Sequence, residues 1–119
     1  MPVLSPELNY SISEFNGLNV LDLSGSLSVI SFDDLIAIVR KLTESESLII
    51  DIKDINFLTS SGLNALVEVS HHAKLRGNRI ILINTDPDIM NLIDYVDCYS
   101  HFIFAEGLDE AKTKIEHYT

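Results

Sequence analysis

Three consecutive hydroxyl side chains are the residues of this sequence whose types and spacing best suit chemistry. Thr59, Ser60 and Ser61 are followed by Gly62, and they come a few residues after the end of a predicted strand. Such hydroxyls act as nucleophiles when a base activates them, and Ser and Thr are also common helix caps. The run opens a predicted helix at the carboxyl end of a strand, where α/β sheets usually place their sites. Local physics alone favours capping as the simpler interpretation, with a functional site as the alternative.

Nucleophilic catalysis would need a base oriented towards Ser60. The sequence does not place His101 there, and it contains no Gly-x-Ser-x-Gly turn of the kind that exposes a hydrolase nucleophile. It also contains no glycine-rich phosphate loop. We therefore predict no catalytic residue, no cofactor and no small-molecule substrate.

Metal binding has little support in the sequence. Glu68 and His72 are four residues apart on a predicted helix and could share one face, but two ligands rarely make a site. The adjacent His71 and His72 point about 100° apart on a helix. Cys98 is the sole cysteine, which excludes an internal disulfide and a cysteine-based zinc cluster. We predict no metal site, a solvated face for the helix and a packing role for Cys98.

Length and charge exclude further classes of function. The chain has 119 residues, which corresponds to one domain, and 46% of them are hydrophobic. Its 18 acidic and 8 basic residues give a net charge of −10, so its surface should repel nucleic acid and anionic lipid. No apolar run reaches the ~18 residues of a membrane span, and no secretory signal is visible at the amino terminus. These observations predict a cytoplasmic protein.

The elements that must position the hydroxyl run follow from hydrophobic periodicity. Two strands joined at Asn16-Gly17 predict an antiparallel hairpin, because both turn residues tolerate positive φ. The order β-β-α-β-α-β-α-β-α then predicts an α/β domain with a mixed, mostly parallel sheet. The predicted strands are Leu8–Ile12, Leu18–Ser24, Leu48–Ile52, Arg79–Ile83 and Phe102–Phe104. The predicted helices start at Ser31, Ser60, Asp86 and Leu108.

Two details of this organisation are specific predictions. Residues 1–7 contain two prolines and are predicted to form an extended lead-in before a single domain over residues 8–119. Residues 25–30 are predicted to form a loop, after which Ser31 caps the first helix. The apolar runs Leu48–Ile52 and Ile80–Ile83 should be neighbouring interior strands, because both of their faces are hydrophobic.

The run Phe57-Leu58-Thr59-Ser60-Ser61-Gly62-Leu63 resembles the signature of the STAS domain, the family of anti-sigma factor antagonists. Three other segments resemble the family's second strand, a helix–glycine–strand junction and the start of its third helix. These segments are Leu21–Gly25, Lys74–Ile80 and Asp86–Leu92. The resemblance covers nearly the whole chain, and the order of elements agrees with it.

The resemblance implies a non-catalytic binding switch in a bacterial partner-switching pathway. In the family, the unmodified domain binds an anti-sigma factor that is also a serine kinase, and this binding releases the sigma factor. The kinase then phosphorylates a serine at the start of the second helix, and a serine phosphatase reverses the modification. By its place in the motif, that serine is Ser60. The implied contact surface comprises Thr59, Ser61, Gly62, Gly25, Ser26 and Ser28.

The sequence departs from the family pattern at acidic positions near the phosphoacceptor. Gly25-Ser26-Leu27-Ser28 stands where the family commonly has Gly-Glu-Leu-Asp, and Thr59 stands where it has Asp. These replacements motivate an alternative function. In it, the chain is a non-phosphorylated STAS scaffold or interaction subunit of a larger signalling or transporter-linked complex.

Overall fold

Strands and helices alternate along the chain after an initial hairpin. The computed structural model describes residues 7–118. The strands are β1 (Leu8–Phe15), β2 (Leu18–Leu27), β3 (Leu48–Leu58), β4 (Ile80–Ile83) and β5 (Ile103–Ala105). The helices are α1 (Phe32–Leu42), α2 (Ser60–Leu75), α3 (Pro87–Tyr95) and α4 (Leu108–Tyr118), with a 3₁₀ turn at Tyr99–His101. The predicted α/β class and the predicted order of elements are confirmed.

The five strands form one sheet in the order β1-β2-β3-β4-β5. The pair β1 and β2 is antiparallel, and every other neighbouring pair is parallel. Leu48–Ile52 and Ile80–Ile83 lie next to each other in the sheet interior, and all their residues are buried. The prediction from their two-sided hydrophobicity is therefore confirmed.

Helices cover the two faces of the sheet unequally. The larger core lies between the sheet and helices α1, α2 and α3, and it includes Leu21, Ile50 and Leu66. A smaller core lies under α4, where Ala111 and Ile115 pack with Ile81. Helix α4 contacts β4 and β5. The start of α2 packs on the larger core instead, through Leu63 and Leu66.

Strand β2 is longer than the sequence pattern predicts. The strand was expected to end at Ser24, but it pairs with β3 as far as Leu27 opposite Leu58. The register shifts around Ser24 and Gly25 mark an irregular pairing, and Gly25 has φ +101°. A Cβ on Gly25 would also lie 2.3 Å from the carbonyl oxygen of Glu7. Only glycine suits this position. Because β2 continues to Leu27, the predicted loop over residues 25–30 is shorter than expected and begins after that residue.

Turn and cap residues agree with the sequence at most positions. Asn16 and Gly17 both have positive φ. The side chain of Asp86 accepts a hydrogen bond from the amide of Ile89 over 2.9 Å at the start of α3. Gly77 has φ +83° just after α2. Ser31 precedes α1 as expected, but its side chain makes no capping hydrogen bond, so that detail was wrong.

The predicted lead-in over residues 1–7 lies outside the described residues except for Glu7. None of the described helices is both long enough and apolar enough to cross a membrane.

Candidate functional site

The hydroxyl run lies where β3 ends and α2 begins. Thr59 is the residue before the helix, and its hydroxyl oxygen accepts a hydrogen bond from the amide of Gly62 over 3.1 Å. Its carbonyl oxygen accepts from the amide of Leu63 over 2.9 Å. Thr59 therefore carries the capping role, so the adjacent Ser60 is not needed as a cap.

The end of strand β2 contacts the start of α2. The amide of Thr59 donates to the carbonyl oxygen of Leu27 over 3.1 Å. Gly62 is buried against the same carbonyl group of Leu27, and a Cβ atom at Gly62 would lie 2.2 Å from its oxygen. The absence of a side chain at Gly62 thus lets the helix approach the strand. This close contact sets the position of Ser60 relative to β2.

Ser60 is the first residue of α2, and it is exposed. The amides of Ser60 and Ser61 have no hydrogen-bond partner among the described residues, as is normal in the first turn of a helix. The helix end also carries a partial positive charge of roughly half a unit. A phosphoryl group on Ser60 would therefore meet free amide donors without displacing the cap.

A groove runs beside this helix end. It has a volume of about 260 Å³ and is lined by Val29, Phe32, Asp33, Ser61 and Asn64. Its walls are the loop after β2, the first turn of α1 and the first turns of α2. The charged side chain in this lining is the carboxylate of Asp33, so an anion added nearby would meet repulsion.

The loop after β2 is held by a cluster of polar groups around Glu7. The Glu7 carboxylate accepts hydrogen bonds from the hydroxyls of Ser28 and Ser31, the second over 3.0 Å. The Ser28 hydroxyl oxygen accepts from the amide of Ile30 over 3.2 Å. The Glu7 carbonyl oxygen accepts from the amide of Ser26 over 3.0 Å. The conformation of the loop is therefore tied to the residue before β1.

Three large apolar side chains are exposed around the site. Val29 is 70% exposed and Ile30 is 64% exposed, both in the loop after β2, and Phe57 is 57% exposed near the end of β3. Val29 shares the groove with Ser61, and Phe57 pairs in register with Ser26. We call Ser60 with Val29, Ile30 and Phe57 the switch surface. Phe57 also lines a second groove, against α3, so Val29 and Ile30 are the adjacent pair, and adjacent exposed apolar side chains are candidates for partner contact.

Sequence reasoning missed the apolar part of the switch surface. A signal was present, because Val29 and Ile30 are consecutive large apolar residues in a predicted loop, where no core-facing period accounts for them. The exposure of Phe57 had no such signal, since it forms an apolar pair with Leu58 and large apolar residues are usually buried.

The structure brings the predicted contact residues of both segments together. Register pairs join Ser26 to Phe57 and Leu27 to Leu58, so the end of β2 lies beside the hydroxyl run. Burial separates the members of the predicted set. Ser60 is exposed, Thr59, Ser61, Gly25 and Ser26 are half-buried, and Gly62 and Ser28 are buried. The two buried residues support the surface from within, and the assignment of a partner-binding role to any of the set stays a prediction.

The other candidates from the sequence lie elsewhere. Among residues 7–118, no group of three or more His, Cys, Asp and Glu side chains is arranged to hold a metal ion. His72 is half-buried, and burial together with the charges of Arg40 and Arg76 lowers its pKa. Cys98 is buried, and burial raises the pKa of its thiol. A thiol of this kind is unreactive, which suits a packing role.

Two carboxylates meet in the middle of the sheet, on the face away from α1 and α2. Asp22 on β2 and Asp51 on β3 are register partners. Burial, and then the charge of Asp51, raise the pKa of Asp22 above its ordinary value, while Lys53 opposes the shift. Asp51 is buried and accepts a hydrogen bond from the amide of Lys53 over 3.0 Å. The pair therefore weakens the fold when both groups are charged.

Comparison with solved structures shows the same fold in several proteins. An anti-sigma factor antagonist from Mycobacterium paratuberculosis has a TM-score of 0.77 at 19% identity, over 92% of this chain and 94% of that one. The Bacillus cell fate determinant SpoIIAA in its phosphorylated form has a TM-score of 0.64 at 16% identity, over 90% and 99%. The murine anion transporter Slc26a9 has a TM-score of 0.73 at 20% identity, over 88% of this chain but 18% of that one. At these identities the likeness is one of fold.

No curated protein matches the chain in sequence at a significant level. The sequence pattern of the STAS domain does match, over residues 9–111. That range contains the hydroxyl run, the end of β2 that supports it and all five strands except the first residue of β1. The chain therefore belongs to the STAS domain family.

Proposed function

We propose that the chain is an anti-sigma factor antagonist of a bacterial partner-switching pathway. In this proposal it binds an anti-sigma factor with serine kinase activity through the switch surface, and phosphorylation of Ser60 ends the binding. A serine phosphatase restores the binding form. The protein acts in the cytoplasm as a binding module without catalytic activity, and its partners are proteins rather than nucleic acid or membrane.

One observation carries the proposal. Ser60 is an exposed hydroxyl that the fold does not use, since Thr59 provides the cap and Leu27 and Gly62 provide the packing. A modification at Ser60 therefore changes the surface without breaking a contact of the core. The fold shared with SpoIIAA, a protein known in a phosphorylated form, supports phosphorylation as the means of regulation.

The energetics of the switch follow from the surroundings of Ser60. Phosphorylation adds about −1.5 to −2 charges. A partner that covers Val29, Ile30 and Phe57 must remove water from this region, and a dianion is costly to desolvate without a matched cation. Asp33, which lines the adjacent groove together with Ser61, adds repulsion rather than compensation. The modified surface should thus lose affinity while the domain stays folded.

The experiment that tests the proposal compares Ser60→Asp with Ser60→Ala by calorimetry against the cognate anti-sigma factor. We expect Ser60→Asp to bind at least roughly tenfold more weakly, with equal thermal unfolding of the two variants. Ser45→Asp is the matched control, because Ser45 is exposed in the loop before β3, at the other end of that strand. It adds the same charge and should bind like the wild type.

Incubation of the wild type with the kinase and ATP, followed by mass spectrometry, locates the modification. Phosphate on Ser60 supports the proposal. Equal affinities for Ser60→Asp and Ser60→Ala, together with no phosphate on Ser60, would contradict it.

The alternative function is a STAS scaffold that is not phosphorylated, within a larger signalling or transporter-linked complex. Two observations favour it. Ser26, Ser28 and Thr59 replace acidic residues of the family pattern, and the fold matches a segment of the Slc26a9 transporter. A pull-down that recovers a stable multi-subunit assembly, unaffected by Ser60→Asp, would support this function over switching.

A further inference from the structure

A second group of polar side chains lies at the far end of α2 from Ser60. It lines a cavity of about 250 Å³ between the end of α2, the start of β4 and the segment that leads into β5. The polar lining consists of Ser70, Lys74, Arg79, Ser100 and His101. Lys74 is fourteen residues beyond Ser60, which places it about 21 Å away along the helix axis. The cavity is therefore separate from the switch surface.

The charge of this cavity is opposite to that of the whole molecule. The chain has 18 acidic residues and 8 basic ones, yet two of the basic residues, Lys74 and Arg79, line the cavity together with His101. Within the part of the chain that the structure describes, no Asp or Glu lines it. The ion pairs among the described residues also leave out Lys74. A cationic cavity on an acidic protein favours an anion as its ligand.

A buried hydroxyl in the lining lacks a partner. The Oγ atom of Ser70 is buried and has no hydrogen-bond partner among the described residues. Buried polar atoms are nearly always paired, because leaving one unpaired costs free energy. A ligand oxygen in the adjacent cavity would provide that partner.

The arginine of the cavity is held in place by its neighbours. Nη1 of Arg79 donates to the carbonyl oxygen of Asn78 over 2.9 Å, and the backbone amide of Arg79 donates to the hydroxyl of Ser47 over 2.9 Å. The bond to Ser47 fixes the main chain at Arg79 and the Nη1 bond orients its guanidinium, which suits a planar or tetrahedral oxyanion better than a mobile guanidinium does.

The carboxyl end of a helix normally repels anions, because its last carbonyl groups carry negative partial charge. Here two of those groups are occupied. The carbonyl oxygen of Ala73 accepts from the amides of Arg76 and Asn78, and that of Lys74 accepts from the amide of Gly77. These hydrogen bonds lower the repulsion between the helix end and an anion. The positive charge of Lys74 offsets the remaining repulsion.

We propose that this cavity binds a small phosphate-type oxyanion. Lys74 supplies the charge, Arg79 and His101 supply N–H donors, and the Ser70 hydroxyl supplies a further hydrogen bond. The floor is apolar, because Ile80 and Phe102 are buried beneath it, so the anion sits at one end of a partly desolvated site. This site and the proposed switch at Ser60 do not depend on each other.

The test is a titration of the full chain, followed by amide NMR, with inorganic phosphate and separately with glycerol phosphate. Sodium chloride at matched ionic strength is the reference. We expect saturable shifts at Ser70, Lys74 and His101 with a dissociation constant on the order of 1 mM. Saturation by inorganic phosphate alone would assign a free anion, and tighter binding of glycerol phosphate would assign a phosphorylated small molecule. Either result supports the proposal.

Variants separate a built site from general electrostatic attraction. Lys74→Gln should weaken phosphate binding roughly tenfold. Arg76→Gln removes the same charge from an exposed residue that does not line the cavity, and it should change the affinity by less than about twofold. Ser70→Ala should weaken binding without lowering the unfolding temperature, because it removes an unpaired hydroxyl.

Three outcomes would overturn the proposal. The first is the absence of saturable shifts at the cavity. The second is equal weakening by Lys74→Gln and Arg76→Gln, which would reduce the effect to net charge. The third is unchanged phosphate affinity in Ser70→Ala.

Discussion

Gly62 lies so close to Leu27 that a Cβ atom at Gly62 would be 2.2 Å from the carbonyl oxygen of Leu27 and 2.6 Å from its carbonyl carbon. Both neighbours are backbone atoms of β2, which cannot rotate away as a side chain could. This contact joins the helix that carries Ser60 to the strand that lies beneath it.

Gly62→Ala is therefore expected to destabilise the domain by about 1–3 kcal/mol, the usual range for overpacking. The sign is informative, because alanine is otherwise favoured over glycine inside a helix by roughly 0.5–1 kcal/mol. Chemical denaturation measures the difference. Gly107→Ala is the control, since a Cβ atom at that position meets no other atom within 4 Å. A Gly62→Ala protein as stable as the control would show that α2 shifts freely.

The two neighbouring hydroxyls should respond differently to removal. Thr59→Ala should cost about 1 kcal/mol, because the amide of Gly62 loses its acceptor. Ser60→Ala should cost less than about 0.5 kcal/mol, as for a surface substitution that breaks no contact. Thr59→Ser retains the acceptor and should recover most of the loss. The free energies of unfolding in urea test this order, and the reverse order would make Ser60 the structural residue.

The centre of the sheet should be far more sensitive than its exposed edge. Ile50 is fully buried, and Ile50→Ala should cost about 2–5 kcal/mol. Ile12 lies on the edge strand β1 and is 46% exposed, so Ile12→Ala should cost less than about 1 kcal/mol. Because the substitution is the same at both sites, a difference in stability loss is due to the difference in burial. Denaturant midpoints of the two variants measure this difference. Similar losses at the two positions would contradict the assignment of the core.

The stability of the domain should depend on pH through Asp22. Its pKa is raised in the folded state by burial and by Asp51, so the folded state holds this proton more tightly than the unfolded chain. The corresponding stabilisation is complete below the unfolded pKa, which is near 3.9. It is lost as the pH rises through the folded pKa.

Asp22→Asn should consequently stabilise the protein at neutral pH, by at most about 1 kcal/mol because partial exposure screens the repulsion. The gain should shrink as the pH falls towards 3.9, where the wild-type carboxyl is protonated. Thermal unfolding across this range measures the effect. Glu44→Gln removes a charge from an exposed loop residue and is the control for the loss of one negative charge. A gain that is constant with pH would exclude Asp22 as its source.

Much of the fold could be predicted because local signals agreed with one another. The continuous apolar runs at Leu48–Ile52 and Ile80–Ile83 required burial on both faces, and Asn16-Gly17 required a tight turn. The end of β2 could not be predicted, since Gly25 and Ser26 have low strand propensity and pair with β3 through an irregular register. In this segment tertiary contacts outweigh the local preference.

The hydroxyl run could be located from the sequence, but the roles within it could not. A run of three possible caps does not show which residue accepts the amide hydrogen bond, and the geometry assigns that role to Thr59. For Ser31, likewise, the sequence did not show whether its side chain would cap the helix. It bonds to Glu7 instead of to its own helix, a contact between distant residues that no local pattern contains.

The polar cluster around Glu7 has a consequence for where a shortened version of this protein could begin. The family match starts at residue 9, but the Glu7 carboxylate binds the hydroxyls of Ser28 and Ser31, and its carbonyl oxygen binds the amide of Ser26. A chain that began at residue 8 would lose these acceptors while keeping every strand, including the buried Leu8 that pairs with Gly25. Such a fragment would retain its fold and lose the preferred shape of the loop that carries Val29 and Ile30. Trimming this module by homology alone would thus change the shape of this loop even where the strands still pair.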